Sequence, residues 1–448
     1  MLRSVFLLLS LLVSTPAWAG PHVYVVVIDG LPPHLATRER MPQLFAALDS
    51  EPARSSAFPK VRAVMPARTN PSHASLLTGA YPSAHGITGN SFWSRALRDP
   101  VGKLEGAELL EVESLFTVAE DGDSELITFA AFAKPKLARL FAGVPDRQRP
   151  PDTLWSPTWA PESARDPVTG YTRDADTMAA SLKSMARDEP DLAVINIADV
   201  DRTAHGHGVD SPECLEAVTG ADRAFGRFVE HLKALGRWQR SVVFVTSDHG
   251  FQRATMAGSV VDLDHRLEAE VRGVRFAPDG GVGHLYAERL PRDATSLGDT
   301  AAAVGQAAAI ARSTPGVAEV LARLPGTEAP ALDDVHADWH LGHQRTGELL
   351  LVAAPGYQFA NAADPALPGN HGRPEDTEVP LFVTGGSPAI VGVRNGTEPP
   401  ALVDVAPTIA ALLGLRLPRR VDGTAIPAAD AGRRYDAILA ERADQSPH

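Results

Sequence analysis

Acidic residues that directly follow apolar runs constrain the fold of this chain more than any other feature of its sequence. Three runs have the length of a buried strand, and each is followed by a carboxylate. In open α/β sheets the carboxyl ends of parallel strands share one edge, and ligands bind in the crevice there. We therefore expect these carboxylates to converge on one polar site. The runs are 23–28, followed by Asp29; 192–198, followed by Asp199 and Asp201; and 241–247, followed by Asp248 and His249.

The alternation of strand-like and helical patterns predicts an α/β fold with a central, mostly parallel sheet flanked by helices. Strand-like runs at 23–28, 126–131, 192–198, 242–246, 349–353 and 381–384 alternate with amphipathic stretches at 175–187, 212–235 and 403–415. Between 257 and 368 the pattern loosens into charged sequence punctuated by Gly and Pro, which favours an inserted, smaller cap region. The stretch 146–171 predicts a long loop, either beside the site or on plain surface. The predicted organisation is a signal peptide at 1–19, a catalytic core at 20–256 and 369–435, the cap at 257–368 and a tail at 436–448.

The beginning of the chain has the pattern of a signal peptide. Arg3 precedes an apolar stretch at 5–13, and Ala17-Trp18-Ala19 supplies the small residues of a cleavage site. No later run approaches the roughly 20 apolar residues of a membrane helix, so we expect a periplasmic or secreted protein without a membrane span. Cys214 is the only cysteine, which excludes an intrachain disulfide. The formal net charge of -13 argues against nucleic-acid polymers as partners.

Candidate metal ligands lie in short polar segments. The carboxylates are Asp29, Asp201 and Asp248, the imidazoles are His205, His249 and His371, and the hydroxyl is that of Thr69. Oxygen and nitrogen ligands of these types suit Zn²⁺, with Mn²⁺ as a substitute. Two metal ions about 4 Å apart need around six protein ligands, which the carboxylates and imidazoles supply. A bound metal also lowers the pKa of a hydroxyl, so Thr69 is the candidate nucleophile.

Thr69 stands where a helix is predicted to begin. Pro71 suits a first helical turn, and 72–77 continues the helical pattern. The amino end of that helix would offer free backbone N–H groups and the positive end of its dipole to a phosphoryl group. The alternative is that Thr69 or Asn70 simply caps the helix.

The ordered set of motifs resembles the alkaline phosphatase superfamily, in its type I phosphodiesterase/nucleotide pyrophosphatase branch. The matching text is Thr69-Asn-Pro-Ser-His-Ala-Ser-Leu-Leu-Thr-Gly-Ala-Tyr-Pro-Ser-Ala-His-Gly-Ile-Thr-Gly-Asn90, the segments around Asp201 and Asp248, Gly369-Asn-His-Gly372 and Asp404-Val-Ala-Pro-Thr-Ile-Ala-Ala-Leu-Leu-Gly414. The match covers 23–251 and 369–415 in the family's order, and the cap only loosely. The resemblance implies an alkaline-phosphatase-like sheet with an inserted cap.

The resemblance also implies a role for each matched residue. Asp29, Thr69, Asp248 and His249 would hold the metal that activates the nucleophile, Asp201, His205 and His371 would hold the second metal, and Asn90 would steady the phosphoryl oxygens. It implies two Zn²⁺ per chain, in-line attack by Thr69, a phospho-threonine intermediate and release by water on the second metal. Spacing favours His205 over His207 as the ligand. His73 and His85 lie in the matched text without a ligand role and are interpreted as packed or hydrogen-bonded histidines.

The substrate stays open between related classes of small phosphorylated or phosphonate compounds. Lys134-Pro135-Lys136 resembles the Lys-x-Lys of phosphonoacetate hydrolases, where the two ammonium groups hold the substrate carboxylate; an exposed helix start is the alternative. Nucleotide-selective members usually carry an aromatic residue directly after the nucleophile, whereas this chain has Asn70 there. Trp93 or Trp155 would then have to supply a stacking face. The predicted substrate-binding residues are Asn70, Asn90, Lys134 and Lys136.

The predicted function is that of a metal-dependent phosphodiesterase/nucleotide pyrophosphatase. A phosphonate hydrolase or alkaline phosphomonoesterase on the same site is the alternative, and a catalytically silent metal-binding protein is the alternative outside enzymes. His336, His340 and His343 are interpreted as a solvated face of the cap, because no third ligand accompanies the helical spacing of the first two.

Overall fold

The computed structural model describes residues 20–95, 102–122, 125–253, 259–289, 294–323, 328–361, 366–392 and 399–426. The signal peptide predicted for 1–19 and the tail predicted for 436–448 lie outside the described residues. The boundaries predicted between core and cap stay a prediction.

The strands are β1 His22–Ile28, β2 Ser56–Arg62, β3 Ser91–Phe92, β4 Gly102–Lys103, β5 Thr128–Phe132, β6 Thr153–Trp155, β7 Leu192–Ile197, β8 Ser241–Thr246, β9 Gln252–Arg253, β10 Val260–Val261, β11 Val274–Asp279, β12 Val282–Ala287, β13 Val317–Ala322, β14 Leu349–Ala353, β15 Gln358–Phe359, β16 Gly369–Asn370 and β17 Glu378–Thr384. The helices are α1 Pro42–Ser50, α2 Thr69–Thr78, α3 Pro82–His85, α4 Leu115–Gly122, α5 Pro135–Leu140, α6 Asp174–Asp188, α7 Asp199–His207, α8 Pro212–Ala234, α9 Asp264–Glu270, α10 Ala294–Arg312, α11 Leu332–Val335 and α12 Val405–Leu413.

The main sheet has seven strands in the order β2-β17-β8-β1-β7-β5-β6. The pairs from β8 to β6 are parallel, while β17 runs antiparallel to both β8 and β2. The prediction of a central, mostly parallel sheet is therefore confirmed. Strands β1, β7 and β8 are buried along their whole length, which explains why their sequences are continuous apolar runs without alternation. Their carboxyl ends meet at one edge of the sheet.

Helices cover both faces of this sheet, and each face has its own apolar core. Residues of α2, α4, α5 and α12 pack on one face. Residues of α1, α6 and α8 pack on the other, where Cys214 is a buried free thiol. Helix α8 begins with Pro212 after Ser211, whose hydroxyl accepts the N–H of Cys214 at 3.1 Å. The two-sided burial fixes the register of the central strands and thereby the residues at their ends.

A second, antiparallel sheet of four strands lies within the predicted cap region, in the order β11-β12-β14-β13. The run at 349–353 forms β14 of this sheet and not a strand of the main one. Helices α9 and α10 pack on the second sheet around a separate apolar cluster. The hairpin β11–β12 extends to the carboxyl edge of the main sheet. Among the described residues, no helix combines the length and apolarity that a membrane crossing requires.

Candidate metal centre and active site

Three aspartates meet at the carboxyl edge of the main sheet. Asp29 follows β1, Asp248 follows β8 after Ser247, and Asp201 lies in the first turn of α7, which follows β7. All three are buried. Gly30 adopts a positive φ of 72° here, and a Cβ on it would lie 3.0 Å from the Cβ of Asp201. The Gly30 N–H donates to Asp248 Oδ1 at 3.0 Å, so this turn joins the three strand ends.

Three histidines turn the same ring nitrogen toward Asp201. His205, His249 and His371 each donate Nδ1–H to a backbone carbonyl oxygen, at 3.1, 3.0 and 2.7 Å respectively. Their Nε2 atoms lie 3.4, 3.9 and 3.7 Å from Asp201 Oδ1. A carbonyl that accepts Nδ1–H fixes the tautomer and leaves the Nε2 lone pair for a metal, which is the usual arrangement around histidine ligands. His207 is exposed and lies 3.9 Å from Glu213.

The predicted ligands of the first metal surround His249. Its Nε2 lies 3.5 Å from Asp29 Oδ1, 3.4 Å from Asp248 Oδ2 and 3.4 Å from Thr69 Oγ1. His73, which was not predicted as a ligand, also approaches Asp248 at 3.4 Å, and its Nδ1 donates to the Thr69 carbonyl at 2.9 Å. That hydrogen bond agrees with the interpretation of His73 as a hydrogen-bonded histidine.

Described side chains form three groups whose ligand atoms lie within 4.8 Å of one another and could hold metal ions. The groups are Asp201 with His205 and His371, Asp29 with Asp201 and His249, and Asp29 with His73 and Asp248. In the part of the chain that the structure describes, Asp201 Oδ1 and Asp248 Oδ2 are buried without a hydrogen-bond partner. A metal ion would satisfy these oxygens, because a buried carboxylate oxygen needs a compensating partner.

Burial also prepares the imidazoles for metal binding. It lowers the pKa of His249 to about 4 and holds the pKa of His371 well below its usual range, with Arg68 adding to the effect at His371. Both rings are therefore neutral near pH 7, which is the form that binds a metal. The donor set thus fits a divalent metal centre.

Thr69 begins helix α2, and the residue at the N-cap is Arg68, without a capping side chain. The alternative in which Thr69 or Asn70 caps the helix is therefore wrong. The first turn of α2 has fewer free backbone N–H groups than the sequence predicted. The Asn70 N–H donates to Asn90 Oδ1 at 3.0 Å, Pro71 has no N–H, and the Ser72 N–H donates to the Arg68 carbonyl at 3.1 Å.

Lys134 lies among the carboxylates. Its Nζ is 2.6 Å from Asp29 Oδ1, 2.8 Å from Asp201 Oδ2 and 3.3 Å from Thr69 Oγ1, and the side chain is 1% exposed. Burial opposes the charge, yet Asp201 and Asp29 raise the pKa of Lys134 above its ordinary value. Lys134 is thus no exposed helix start, and its ammonium contacts one carboxylate from each predicted metal set.

A polar cavity of about 440 Å³ adjoins this site, and Lys136 is half-buried on its wall. Burial and the neighbouring Lys134 lower the pKa of Lys136 to about 7. Among the described residues, its Nζ has no hydrogen-bond or ion-pair partner. The wall further includes Arg68, Asn70, Asn90, Lys103, Tyr171 and Asp279.

Tyr171 is the aromatic residue on the cavity wall. It closes the stretch 146–171, so one end of that stretch reaches the site, while Thr153–Trp155 forms the edge strand β6. Lys134 Nζ lies 5.4 Å from the centre of the Tyr171 ring. Trp93 instead packs against Tyr286, at 6.2 Å between ring centres, and Trp155 packs on the core of the main sheet. Neither tryptophan supplies the stacking face that the sequence suggested.

The three cap histidines have other partners. His336 stacks on Trp339 at 3.7 Å and contacts Glu319, His340 stacks on Tyr81 at 4.0 Å, and His343 contacts Glu111. None of them joins a metal-binding group among the described side chains. The interpretation as a solvated face fits the exposed His340, whereas His336 is half-buried and the His343 side chain is only 10% exposed.

A family model described as type I phosphodiesterase / nucleotide pyrophosphatase matches residues 23–375. The chain belongs to this family. The predicted branch of the alkaline phosphatase superfamily is therefore confirmed, and the family's description names hydrolases of phosphoric ester bonds, the predicted class of enzyme.

Relatives agree with the family, and solved structures are similar in fold. An uncharacterized pyrophosphatase/phosphodiesterase of Schizosaccharomyces pombe is 25% identical over 261 residues, which are 58% of this chain and 50% of that protein. Murine ectonucleotide pyrophosphatase/phosphodiesterase 5, solved with AMP, is similar in fold with a TM-score of 0.65, at 19% identity over 89% of this chain and 96% of that one. Phosphonoacetate hydrolase of Sinorhizobium meliloti, solved with phosphonoformate, has a TM-score of 0.60, at 19% identity over 88% and 95%. The chain spans half or less of the length of the curated relatives it matches first.

Proposed function

We propose that this protein is a metal-dependent phosphodiesterase of the nucleotide pyrophosphatase type with Thr69 as its nucleophile. The observation that carries the proposal is the position of the Thr69 hydroxyl. It stands at the amino end of α2, 3.4 Å from His249 Nε2, beside a cavity lined by Asn70 and Asn90. A hydroxyl at a helix amino end, next to metal ligands, suits attack on a phosphoryl group.

Two Zn²⁺ ions, or Mn²⁺ in their place, are the proposed cofactors. Asp29, Thr69, Asp248 and His249 would hold one, and Asp201, His205 and His371 the other. Bound ions would lower the pKa of the Thr69 hydroxyl and neutralise charge on the phosphoryl oxygens.

The chain's own groups would then direct the reaction. Thr69 Oγ1 releases its proton to water and attacks phosphorus in line with the leaving oxygen, which departs with the bonding electron pair as the Oγ1–P bond forms and then takes up a proton. Because Asn90 Oδ1 already accepts from Asn70, the Asn90 Nδ2–H groups are the donors that meet the phosphoryl oxygens. Water then attacks phosphorus in the phospho-threonine, the P–Oγ1 bond breaks, and a proton from the attacking water restores the Thr69 hydroxyl.

Two substitutions test the nucleophile separately from the metal site. Thr69→Ala should abolish turnover and keep the metal content measured by elemental analysis, whereas Asp248→Ala should lose both. Thr78→Ala is the matched control, because Thr78 is a buried threonine of the same helix whose hydroxyl donates to the Ala74 carbonyl at 2.7 Å. Normal turnover in Thr69→Ala would refute the nucleophile assignment.

A phosphonate hydrolase with a carboxylated substrate is the second candidate. It is favoured by Lys136 on the cavity wall, which has no partner among the described residues. An ammonium without a counter-ion beside a phosphoryl site suits a second anionic group on the substrate. Hydrolysis assays with added zinc separate the two candidates. The substrates compared are bis-nitrophenyl phosphate, a nucleotide diester, nitrophenyl phosphate and phosphonoacetate. If phosphonoacetate is preferred, Lys136→Met should raise its KM, and kcat/KM for the diesters should hardly change.

A catalytically silent metal-binding protein is the alternative outside enzymes. Less than one transition metal per chain after gentle purification, with no hydrolysis of any of these substrates upon adding zinc, would favour a silent metal-binding protein.

We propose that the protein is exported to the periplasm or secreted, which the signal-peptide pattern at 1–19 supports. Detection of the chain in the periplasmic or culture fraction tests this location.

A further inference from the structure

The tip of the β11–β12 hairpin, residues 279–281, is packed into the active site. Gly280 has a positive φ of 66°, and a Cβ on it would lie 2.5 Å from Arg68 Nη1 and 2.9 Å from the His371 carbonyl oxygen. The Gly281 N–H donates to that same carbonyl at 2.9 Å. Only glycine fits such a close approach, so the hairpin tip is held tightly against the metal-binding edge.

Asp279 is the acidic residue of this tip, and it is 3% exposed. Its Oδ2 accepts the backbone N–H of Asn90 at 2.7 Å, and its Oδ1 lies 3.0 Å from Nε of Arg68. One carboxylate therefore contacts both Asn90, whose side-chain amide is proposed to bind the phosphoryl group, and Arg68, which directly precedes Thr69.

Arg68 is held from two sides. Asp279 contacts its Nε, while its Nη1 donates to Asn370 Oδ1 at 3.2 Å and to the His371 carbonyl at 3.0 Å. Within the described part of the chain, Nη2 has no hydrogen-bond partner, and the guanidinium lines the cavity beside Asn70 and Asn90. The free N–H groups of Arg68 are thus available to an anion in the cavity.

We propose that Asp279 is a positioning residue through which the cap orients Arg68 and Asn90 toward a bound phosphoryl group. The proposal rests on the proposed function of the same site. A carboxylate that faced this cavity unpaired would repel an anionic substrate, whereas one paired with Arg68 is neutralised and fixes a guanidinium whose Nη2–H groups can donate to phosphate oxygens.

Two substitutions at Asp279 separate its two contacts. Asp279→Asn keeps an oxygen that can accept the Asn90 N–H but loses the charge that holds Arg68, so KM for bis-nitrophenyl phosphate should rise about tenfold while kcat stays within about twofold. Asp279→Ala loses both contacts, so KM should rise by the same factor and kcat should fall about tenfold as well. Recovery of kcat by Asn over Ala is the result that a merely structural role would not give.

The control is Glu288→Gln, which removes a carboxylate from the other end of the same hairpin, where Glu288 lies 2.7 Å from Arg275. It should leave KM and kcat unchanged. Equal loss of kcat in both Asp279 variants, or an unchanged or lower KM in Asp279→Asn, would overturn the proposal.

Binding of inorganic phosphate to the zinc-loaded protein, measured by calorimetry, gives a readout that does not depend on turnover. Asp279→Asn should weaken phosphate binding about tenfold. If the wild type binds phosphate but hydrolyses no diester, the proposed function fails and the Asp279 comparison still stands. Equal phosphate affinity in wild type and Asp279→Asn would overturn the positioning role alone.

Discussion

Lys134→Met should make the stability of this protein strongly dependent on metal. Lys134 Nζ lies 2.6 Å from Asp29 and 2.8 Å from Asp201, and all three side chains are buried. Methionine has a similar length and no charge, so the substitution removes the only ammonium in contact with these two carboxylates among the described residues. Without metal, Asp201 would then be a buried charge without its cation, and Asp29, whose pKa burial and Asp248 raise to about 7 even beside Lys134, would take up a proton.

The size of the effect follows from the two distances. At an effective dielectric constant of about 20, each contact is worth about 6 kcal/mol of Coulomb attraction. Desolvation of the three groups offsets most of it, and removing one partner from a buried ion pair typically costs about 3–5 kcal/mol. With two divalent ions bound, the same carboxylates are neutralised by metal, and the loss should shrink to about 1 kcal/mol or less. By linkage, a difference of about 3 kcal/mol corresponds to zinc affinity about a hundredfold higher in the variant.

Urea unfolding followed by tryptophan fluorescence, in EDTA and in excess zinc, measures the loss of stability without and with metal. Zinc titration against a competing chelator gives the affinity independently. Lys60→Met is the matched control, because Lys60 lies 2.7 Å from Glu378 in an exposed pair whose loss should cost at most about 1 kcal/mol with or without metal. An equal loss of stability in EDTA and in zinc would refute the reasoning, since it would show that Lys134 and the metal do not neutralise the same carboxylates.

Two further substitutions probe the scaffold of the site. Asp174 Oδ1 accepts the N–H groups of Ala198 and Asp199 at 2.8 and 2.9 Å, where α7 begins. Asp174→Ala should therefore weaken zinc binding by about tenfold in a chelator titration, whereas Asp176→Ala, at an exposed position, should not. Equal zinc affinity in the two variants would contradict this role of Asp174. Burial lowers the pKa of His85 to about 3, so this histidine stays neutral in the folded protein while it binds a proton below about pH 6.5 in the unfolded chain. Its contribution to stability is therefore complete above pH 6.5 and is lost as the pH falls toward 3, by about 1.4 kcal/mol per unit. Urea unfolding in EDTA at pH 7, 6 and 5 should show a shallower acid loss in His85→Asn than in the wild type, and parallel slopes would contradict it.

The convergence of Asp29, Asp201 and Asp248 could be predicted because it depends on strand ends alone. Continuous apolar runs identify buried parallel strands, and the carboxyl ends of such strands must lie at one edge. For this reason the predicted and observed limits of β1, β7 and β8 differ by only one residue, at one end of each strand. The convergence therefore does not depend on the position of the cap.

The parts of the site that the sequence did not predict depend on contacts between distant segments. Arg68 and Asp279 are paired because the β11–β12 hairpin of the cap packs against the site, and no repeating pattern of apolar residues in the sequence predicts that contact. The backbone N–H groups at the amino end of α2 were expected to be free, but the Asn90 side chain accepts the N–H of Asn70. Lys134 and Lys136 were treated as one motif, yet a strand end followed directly by a helix turns the first into the carboxylates and the second toward the cavity.

The charge of the site links anion binding to metal binding. Three buried aspartates and the single ammonium of Lys134 leave the metal-free site negative, and two divalent ions would reverse its sign. Asp279 neutralises Arg68, so Lys103 and Lys136 are the lysines of the cavity wall left to attract a phosphate dianion in the absence of metal, and the negative charge of the aspartates opposes them. We therefore expect inorganic phosphate to bind the zinc-loaded protein and to give no heat of binding with protein kept in EDTA. Phosphate binding of equal strength in both states would mean that the cations of the cavity wall, and not the metals, hold the anion, and the roles of Thr69 and the metal ligands would have to be reconsidered.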